Sequence, residues 1–496
     1  MEIYGEYDVV VVGGGVSGCA AAIASARAGA KTILIERFGV LGGMMNVSGP
    51  PGWSFSLLWN NRGEQIIAGI LEETHHRLEK EGHALPYPKP EDRYFMYSYA
   101  FVDPDWWGLL IFQMMTENKV ELLLHSLAVD VVKEGDAVKG VIVENTSGRM
   151  AVMGKVIIEA TGEGDIAVRA GVPFTKIDRT KEEIDPPSIT FHMDGVDWDK
   201  VTAYMKENPE EFVMDTFGLK PPPREEAIRK KQLEQLKNAR SVLDLVKSGT
   251  LGAVMLNKLT RKALDNGDFH QYGDLGFFFT PREGGAMQAE FQHSAQVPDC
   301  DTTDVRELTA GEVEARRQAV IALKAARKYI PGFENAYLTR LTSYMRTREG
   351  RHFIGDYQMT SDDVAEARKF KDVIGKSGMN AQRGGPFHSA SYPGGSMNID
   401  PNRKRWSPPD GGSYDIPYRC LVPKNVENML ITGKLMSTTE DFKRDVLPDN
   451  MVYGQASGVA AAVCVKKGVT PRQLEKDVSE LQSILQKQGA ILFGTH

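Results

Sequence analysis

The segment RTREGRHFIGDY (346–357) places Arg346, Arg348, Arg351 and His352 within seven positions. Guanidinium groups recognise carboxylates and phosphates, and an imidazole exchanges a proton near neutral pH. Such a cluster grips an anion, manages a proton, or ties one part of a fold to another. Further candidates for substrate binding or proton transfer are His192 in ITFHMDG, Tyr357, His388 in GGPFHSA, and Arg444. A second chemistry is written near the start of the chain. Gly13-Gly14-Gly15-Val16-Ser17-Gly18 is a GxGxxG, a pattern that lets the backbone approach a pyrophosphate.

The surrounding elements fit that purpose. YDVVVV (7–12) reads as a strand buried on both faces of a parallel sheet. VSGCAAAIASARAG reads as a helix of small residues ending at Gly29, and KTILIE (31–36) as a second strand closing on Glu36. Gly13 permits the tight turn, Gly15 the approach of phosphates, and Gly18 close packing of helix on strand. The helix N-terminus offers free N–H groups and a partial positive charge, and Glu36 can accept from ribose hydroxyls. RFGVLGGMMNVSG (37–49) adds Arg37, the Gly42-Gly43 pair and Met44, a second N–H-rich loop that nicotinamide dehydrogenases rarely need. VELLLHSLAVDVV, VKGVIVENTSG and RMAVMGKVIIEATG read as further strands, the last ending in Ala160-Thr161-Gly162-Glu163-Gly164-Asp165.

These motifs, with the C-terminal NMLITGK and PDNMVYGQASGVAAAV, resemble the FAD-dependent oxidoreductases of the glutathione-reductase-like superfamily. The nearest resemblance is to the branch related to fumarate reductase and succinate dehydrogenase flavoproteins, and it spans about residues 7–465. It implies that Gly13, Gly15, Val16, Ser17 and Gly18 wrap the pyrophosphate of FAD, beside Arg37, Gly42, Gly43 and Met44. Glu36 would hold the adenosine ribose and Ala128 would meet adenine through its backbone. Ala160, Thr161, Gly162 and Asp165 would lie near the phosphates, and Gly433 would let the last strand pass close to the cofactor. The helix containing Asn450 and Gly454 would aim its N-terminus at the flavin. Asp449-Asn450 is also a local helix-start signal, and the small residues that follow suit close packing. GGMMN carries no histidine for flavin attachment, so non-covalent FAD is expected.

The expected fold is α/β: a Rossmann-type FAD-binding domain, a parallel sheet plus a β-meander, with an inserted α+β cap or substrate domain. The first is discontinuous, at 1–175 and 385–496, and the insertion covers 176–384. Helices are expected at 223–249 and at 309–332, the latter opened by a Thr309–Glu312 capping box, with others starting at Thr360 or Ser361 and at Thr470. Leu474, Val478, Leu481 and Leu485 fall on one stripe of the last. No second GxGxxG follows a strand, so no built-in NAD(P)H domain is expected. The expected activity is hydride transfer between flavin N5 and a small organic substrate, first choice C–C desaturation or enoate reduction. Oxidation at C–N or C–O bonds, or an FAD-binding scaffold role, are the alternatives. Related sequences often carry a His where STTED (437–441) stands here, which leaves dicarboxylate specificity open. Arg348 reads as an architectural residue, pairing with Glu349 or Asp356.

The totals bound the partners. The chain has 496 residues, 25% of them charged, and a net charge of −7, which argues against a nucleic-acid partner. Cys19, Cys300, Cys420 and Cys464 form no CxxC pair and read as buried small hydrophobes. The uncharged stretch Val9–Ala26 is broken by glycines and preceded by acids, unlike a signal peptide or membrane span. A soluble, cytoplasmic protein with a small-molecule substrate is expected; an external electron donor or acceptor and a homo-oligomer remain open.

Overall fold

The structure is a computed structural model, described over residues 1–49, 57–90, 93, 98–179, 185–213, 223–379, 381–382, 405–442 and 446–496. The first strand, β1 (Glu2–Val12), runs into α1 (Val16–Arg27) and then β2 (Thr32–Ile35). Val9 to Val12 pair in parallel with β2 on one side and with β6 (Gly148–Glu159) on the other. Its two faces are covered as well, Val9 and Val11 in one buried cluster and Val10 and Val12 in another, which explains the unbroken β-branched run. With β3 (Glu121–Leu123), β4 (Leu127–Glu134) and β5 (Ala137–Asn145), the order is β3-β2-β1-β6-β5-β4. The strand Met429–Ile431 completes a seven-stranded sheet by pairing in parallel with the C-terminal end of β6, while β5 pairs antiparallel with its N-terminal part. The fold is thus α/β, with a parallel sheet and an antiparallel meander attached.

Two helices of small residues meet behind this sheet. A Cβ on Gly454 or Gly458, in the helix Leu447–Lys467, would lie 2.1 Å from the carbonyl oxygen of Ser17 or Ala21 in α1. Only glycine lets the two backbones come so close. Two further helices, α2 (Ile70–Lys80) and α3 (Pro104–Glu117), flank the same core.

A second sheet is antiparallel and five-stranded. After the short β7 (Phe174–Thr175) come β8 (Phe191–Asp194), β9 (Ala253–Val254), β10 (Phe277–Pro281), β11 (Met287–Phe291) and β12 (Tyr337–Leu341), ordered β12-β8-β11-β10-β9. One face buries Phe191, Phe277, Phe279 and Phe291 with Phe333 and the alanine stripe of the helix Val305–Tyr329. This core also takes in Tyr99 and Phe101 from the N-terminal part of the chain. The segment after β12 leads into β13 (His352–Phe353), which pairs antiparallel with β7.

Several expected helices differ. The helix placed at 309–332 begins a turn earlier, at Val305, because Asp304 caps it through the Arg306 and Glu307 amides; Thr309 Oγ1 instead donates to Val305 O. The helix placed at 223–249 divides into Pro223–Asn238 and Val242–Lys247, the second capped by Ser241. Thr360 and Thr470 form capping boxes with Asp363 and Gln473. Leu474, Val478, Leu481 and Leu485 are buried, so their stripe packs within the chain. All four cysteines are free and buried. Among the described residues no helix is long and apolar enough to cross a membrane.

Candidate active site

Where the parallel strands end, the chain opens a cavity of about 500 Å³. Gly15, Val16 and Ser17 form its floor, with Gly43 and Met44 from the following loop and Arg37 beside them. No atom lies within 4 Å of where a Cβ on Gly15 would stand, so the glycine turn faces open space. The N-terminus of α1 has no side-chain cap, and neither does that of Leu447–Lys467, whose Asn450 also lines the cavity. Two helix ends therefore offer amides and partial positive charge to one space. Asn450 is buried, and its Oδ1 finds no hydrogen-bond partner among the described residues.

The opposite wall is the turn Ala160-Thr161-Gly162. Glu159, fully buried, braces it by accepting from the amides of Thr161, Ile166 and Ala167 at 2.8, 3.0 and 3.0 Å. Gly433, at φ 68°, closes the rim, and a Cβ there would come within 2.3 Å of Ser17 Oγ. A narrower annex of about 60 Å³ continues between Gly13, Glu36, Ala128 and Asp165. The Glu36 carboxylate accepts from the amides of Gly14 at 2.6 Å and Phe38 at 2.9 Å, one on each oxygen. Each oxygen keeps a further lone pair for a ribose hydroxyl.

Gly18, Gly42 and Gly454 stand one layer back from this lining. A Cβ on Gly18 would meet Gly13 O at 1.8 Å, Gly42 N donates to Gly14 O at 2.7 Å, and Gly454 sits on the α1 backbone. These three glycines therefore set how closely the backbones behind the lining approach one another.

The basic cluster divides. Arg346 and Arg351 line the cavity. Arg351 Nη1 donates to Glu163 O and to Asp165 Oδ1, each at 2.8 Å. Arg348 donates to Pro186 O at 3.0 Å and Ser188 Oγ at 3.3 Å, stitching the approach to β8; Asp356, one of its expected partners, is held by Arg472. His352 is not in the lining. It is fully buried in β13, with Nε2 3.3 Å from Glu349 Oε2. Tyr357 also lies elsewhere, donating to Asp363 Oδ1 at 2.9 Å beside the helix Ser361–Ala365. Neither His352 nor Tyr357 is among the residues lining the cavity. His388 and Arg444 lie outside the described residues.

Sequence reading passed over Glu163, Lys434, Phe38 and Tyr344. Lys434 Nζ donates to Glu163 Oε1 at 3.0 Å and to Thr347 Oγ1 at 2.8 Å, joining the two sides of the cavity mouth. Phe38 and Tyr344 stack at 5.5 Å with Arg37 over both rings. The lysine beside Gly433 and the acid inside ATGEGD were the available signals.

His192 belongs to another surface. On the face of the second sheet opposite the phenylalanines it stands between Glu290 of β11 and Arg340 of β12, giving a carboxylate–imidazole–guanidinium row. Thr190, Thr280 and Gln292 share this buried polar face, and Thr280 Oγ1 donates to Glu290 Oε2 at 2.8 Å. Burial, reinforced by the Arg340 and Arg282 charges, pushes the His192 pKa down to about 3, so the ring is neutral. Neither Thr190 Oγ1 nor Gln292 Oε1 makes a hydrogen bond among the described residues. Each such buried group costs about 1–3 kcal/mol unless something satisfies it. The face abuts the loop that leaves the cavity: Thr190 packs against Gly49, Ser343 N donates to Val47 O at 2.9 Å, and Arg340 donates to Asn46 O.

The glycine turn, the acid after β2 and the two open helix ends fit a dinucleotide, and define a Rossmann-type dinucleotide-binding α/β protein. A sequence profile of the FAD dependent oxidoreductase family matches residues 8–485, and the chain belongs to that family. It is therefore an FAD-dependent oxidoreductase. Comparison with curated proteins gives no match. Among solved structures the chain is similar to a geranylgeranyl bacteriochlorophyll reductase-like protein from Thermoplasma acidophilum, at 13% identity over 98% of this chain and 82% of that one, TM-score 0.43. It is similar to the flavin-dependent brominase Bmp2 at 13% identity over 96% and 84%, TM-score 0.45. It is also similar to p-nitrophenol 4-monooxygenase PnpA from Pseudomonas putida DLL-E4, at 10% identity over 98% and 86%, TM-score 0.43.

Proposed function

We propose that the protein is a dehydrogenase or reductase of the fumarate-reductase-related branch, acting on a small substrate with a carbonyl or carboxylate conjugated to the reacting carbon–carbon bond. FAD, held non-covalently, would supply the hydride-accepting or hydride-donating centre. Gly13 and Gly15 to Ser17 would carry its pyrophosphate on the end of α1, Glu36 its ribose, and Asn450 with its helix end the flavin side of the cavity. Residues 1–175 and 385–496 would form the cofactor domain and 176–384 the substrate domain.

The observation that carries this reading is the Glu290–His192–Arg340 row on a buried polar face beside the cavity-lining loop. Buried polar groups persist where a ligand satisfies them. Arg340 on this face and Arg346 in the cavity supply positive charge suited to a carboxylate or a polarised carbonyl. A neutral imidazole between an acid and a guanidinium can accept a hydrogen bond at one nitrogen and donate at the other. Arg351 would serve the site indirectly, fixing the Glu163–Asp165 turn.

His192→Leu tests the placement of substrate. The variant is expected to retain FAD and fold stability while slowing flavin reduction or reoxidation by substrate about a hundredfold, within the range for losing an acid–base group. Stopped-flow absorbance of the isolated half-reaction reads this directly. An unchanged rate would move the substrate away from the second sheet.

A further inference from the structure

Away from the cofactor cavity, α2 carries His75, His76 and Glu79, and one ligand-capable atom from each lies within 4.8 Å of the others. His75 Nε2 sits 2.9 Å from Leu85 O. A carbonyl only accepts, so the ring proton is on Nε2 and Nδ1 presents a lone pair. That nitrogen lies 3.9 Å from Glu79 Oε2, and His76 Nδ1 lies 3.5 Å from the same oxygen. For the bond lengths of a zinc site, tetrahedral donors stand roughly 3.4 Å apart, so small side-chain rotations would close this set.

The geometry points to a divalent transition-metal site on α2, formed by His75, His76 and the Glu79 carboxylate, with water in the remaining position. A histidine that ligates through one nitrogen while donating from the other to a backbone carbonyl has the usual second contact of a metal ligand. His75 is fully buried and its ring stacks on Tyr87 at 4.2 Å, which fixes its orientation. His76 is 55% exposed in its side chain and gives the ion a way in. Glu72 Oε1, steadied by Gln65 Nε2 at 2.7 Å, lies 3.7 Å from the other nitrogen of His76 and can orient it. Two imidazoles and one carboxylate suit Zn²⁺, Co²⁺ or Ni²⁺, whereas Ca²⁺ and Mg²⁺ prefer all-oxygen sets.

The test uses tag-free, FAD-loaded protein stripped with a chelator and titrated calorimetrically with Zn²⁺. Saturable binding of one equivalent is expected, weakened about tenfold or more in His76→Ala and in Glu79→Gln. Both residues are partly exposed, so retained FAD and an unchanged melting curve verify that the variants are folded. Co²⁺ should give the visible band of a low-coordinate site in the parent protein and lose it in both variants. No saturable binding by the parent protein, or variants that bind like the parent, would overturn the assignment.

Discussion

Gly18→Ala is expected to cost the protein its FAD and much of its stability, whereas Gly15→Ala is expected to cost FAD alone. A Cβ added at position 18 would stand 1.8 Å from Gly13 O and 3.3 Å from Ala160 Cβ. The first is backbone, held in the turn that β1 feeds into α1, and it cannot rotate away. Relief requires α1 to shift along the sheet, and α1 is locked against Leu447–Lys467 by its approach to Gly454 and Gly458. Overpacking of this kind costs about 1–3 kcal/mol, or more where backbone must move. At Gly15 a Cβ would meet nothing within 4 Å, and the residue's φ of −70° suits alanine. The methyl group would instead enter the space assigned to the pyrophosphate. Urea denaturation of the apoproteins should therefore separate Gly18→Ala from the parent and leave Gly15→Ala beside it, while both lose flavin on gel filtration. A Gly15→Ala protein that keeps FAD with parental affinity would place the cofactor elsewhere.

Asp449 should make the protein less stable as pH rises. The carboxyl lies in the first turn of the helix Leu447–Lys467, fully buried, with Ser377 Oγ donating to it at 2.7 Å. Burial raises its pKa from 3.8 to about 7, against the pull of Ser377 and Tyr453. The unfolded chain thus releases a proton that the folded chain keeps between about pH 4 and 7. Stability from this group is fully present below the unfolded pKa, falls as pH rises through that window, and levels off above it. At about 1.36 kcal/mol per unit the full span is on the order of 4 kcal/mol. Asp449→Asn holds a neutral side chain at every pH. It should match the parent near pH 4 and exceed it by a few kcal/mol at about pH 8 in urea unfolding. Parallel pH profiles for the two proteins would contradict the buried, protonated state.

The cofactor end of the molecule was legible because its signals are local. The β-branched run, the spaced glycines and Glu36 each constrain only a few neighbouring residues, and the structure assembles them as read. The second sheet was not legible as a surface. HMD in β8 and QAE in β11 alternate as any strand with a watered face would, and only tertiary cover shows that His192 and Glu290 are both buried. Their side-by-side placement is a matter of register across strands that are about a hundred residues apart, which spacing along the chain cannot reveal. The RTREGRH cluster divides for a related reason. It enters extended backbone at β13, where successive side chains point to opposite faces, so Arg351 reaches the cavity rim while His352 turns inward to Glu349. The helix start at 309 was misplaced by one turn because Asp304 outcompeted Thr309 as cap, both being good cap residues.

The most direct test of the proposed activity is an anaerobic half-reaction on the purified, FAD-loaded protein. Oxidised protein is mixed in turn with saturated acids and ketones, amines and alcohols, and photoreduced protein with the matching enoates and enones, while the flavin absorbance is followed. A carbon–carbon couple that bleaches the oxidised form, or reoxidises the reduced form, in stoichiometric amount is the predicted result. Bleaching by amines or alcohols alone, or by none of the panel, would contradict it.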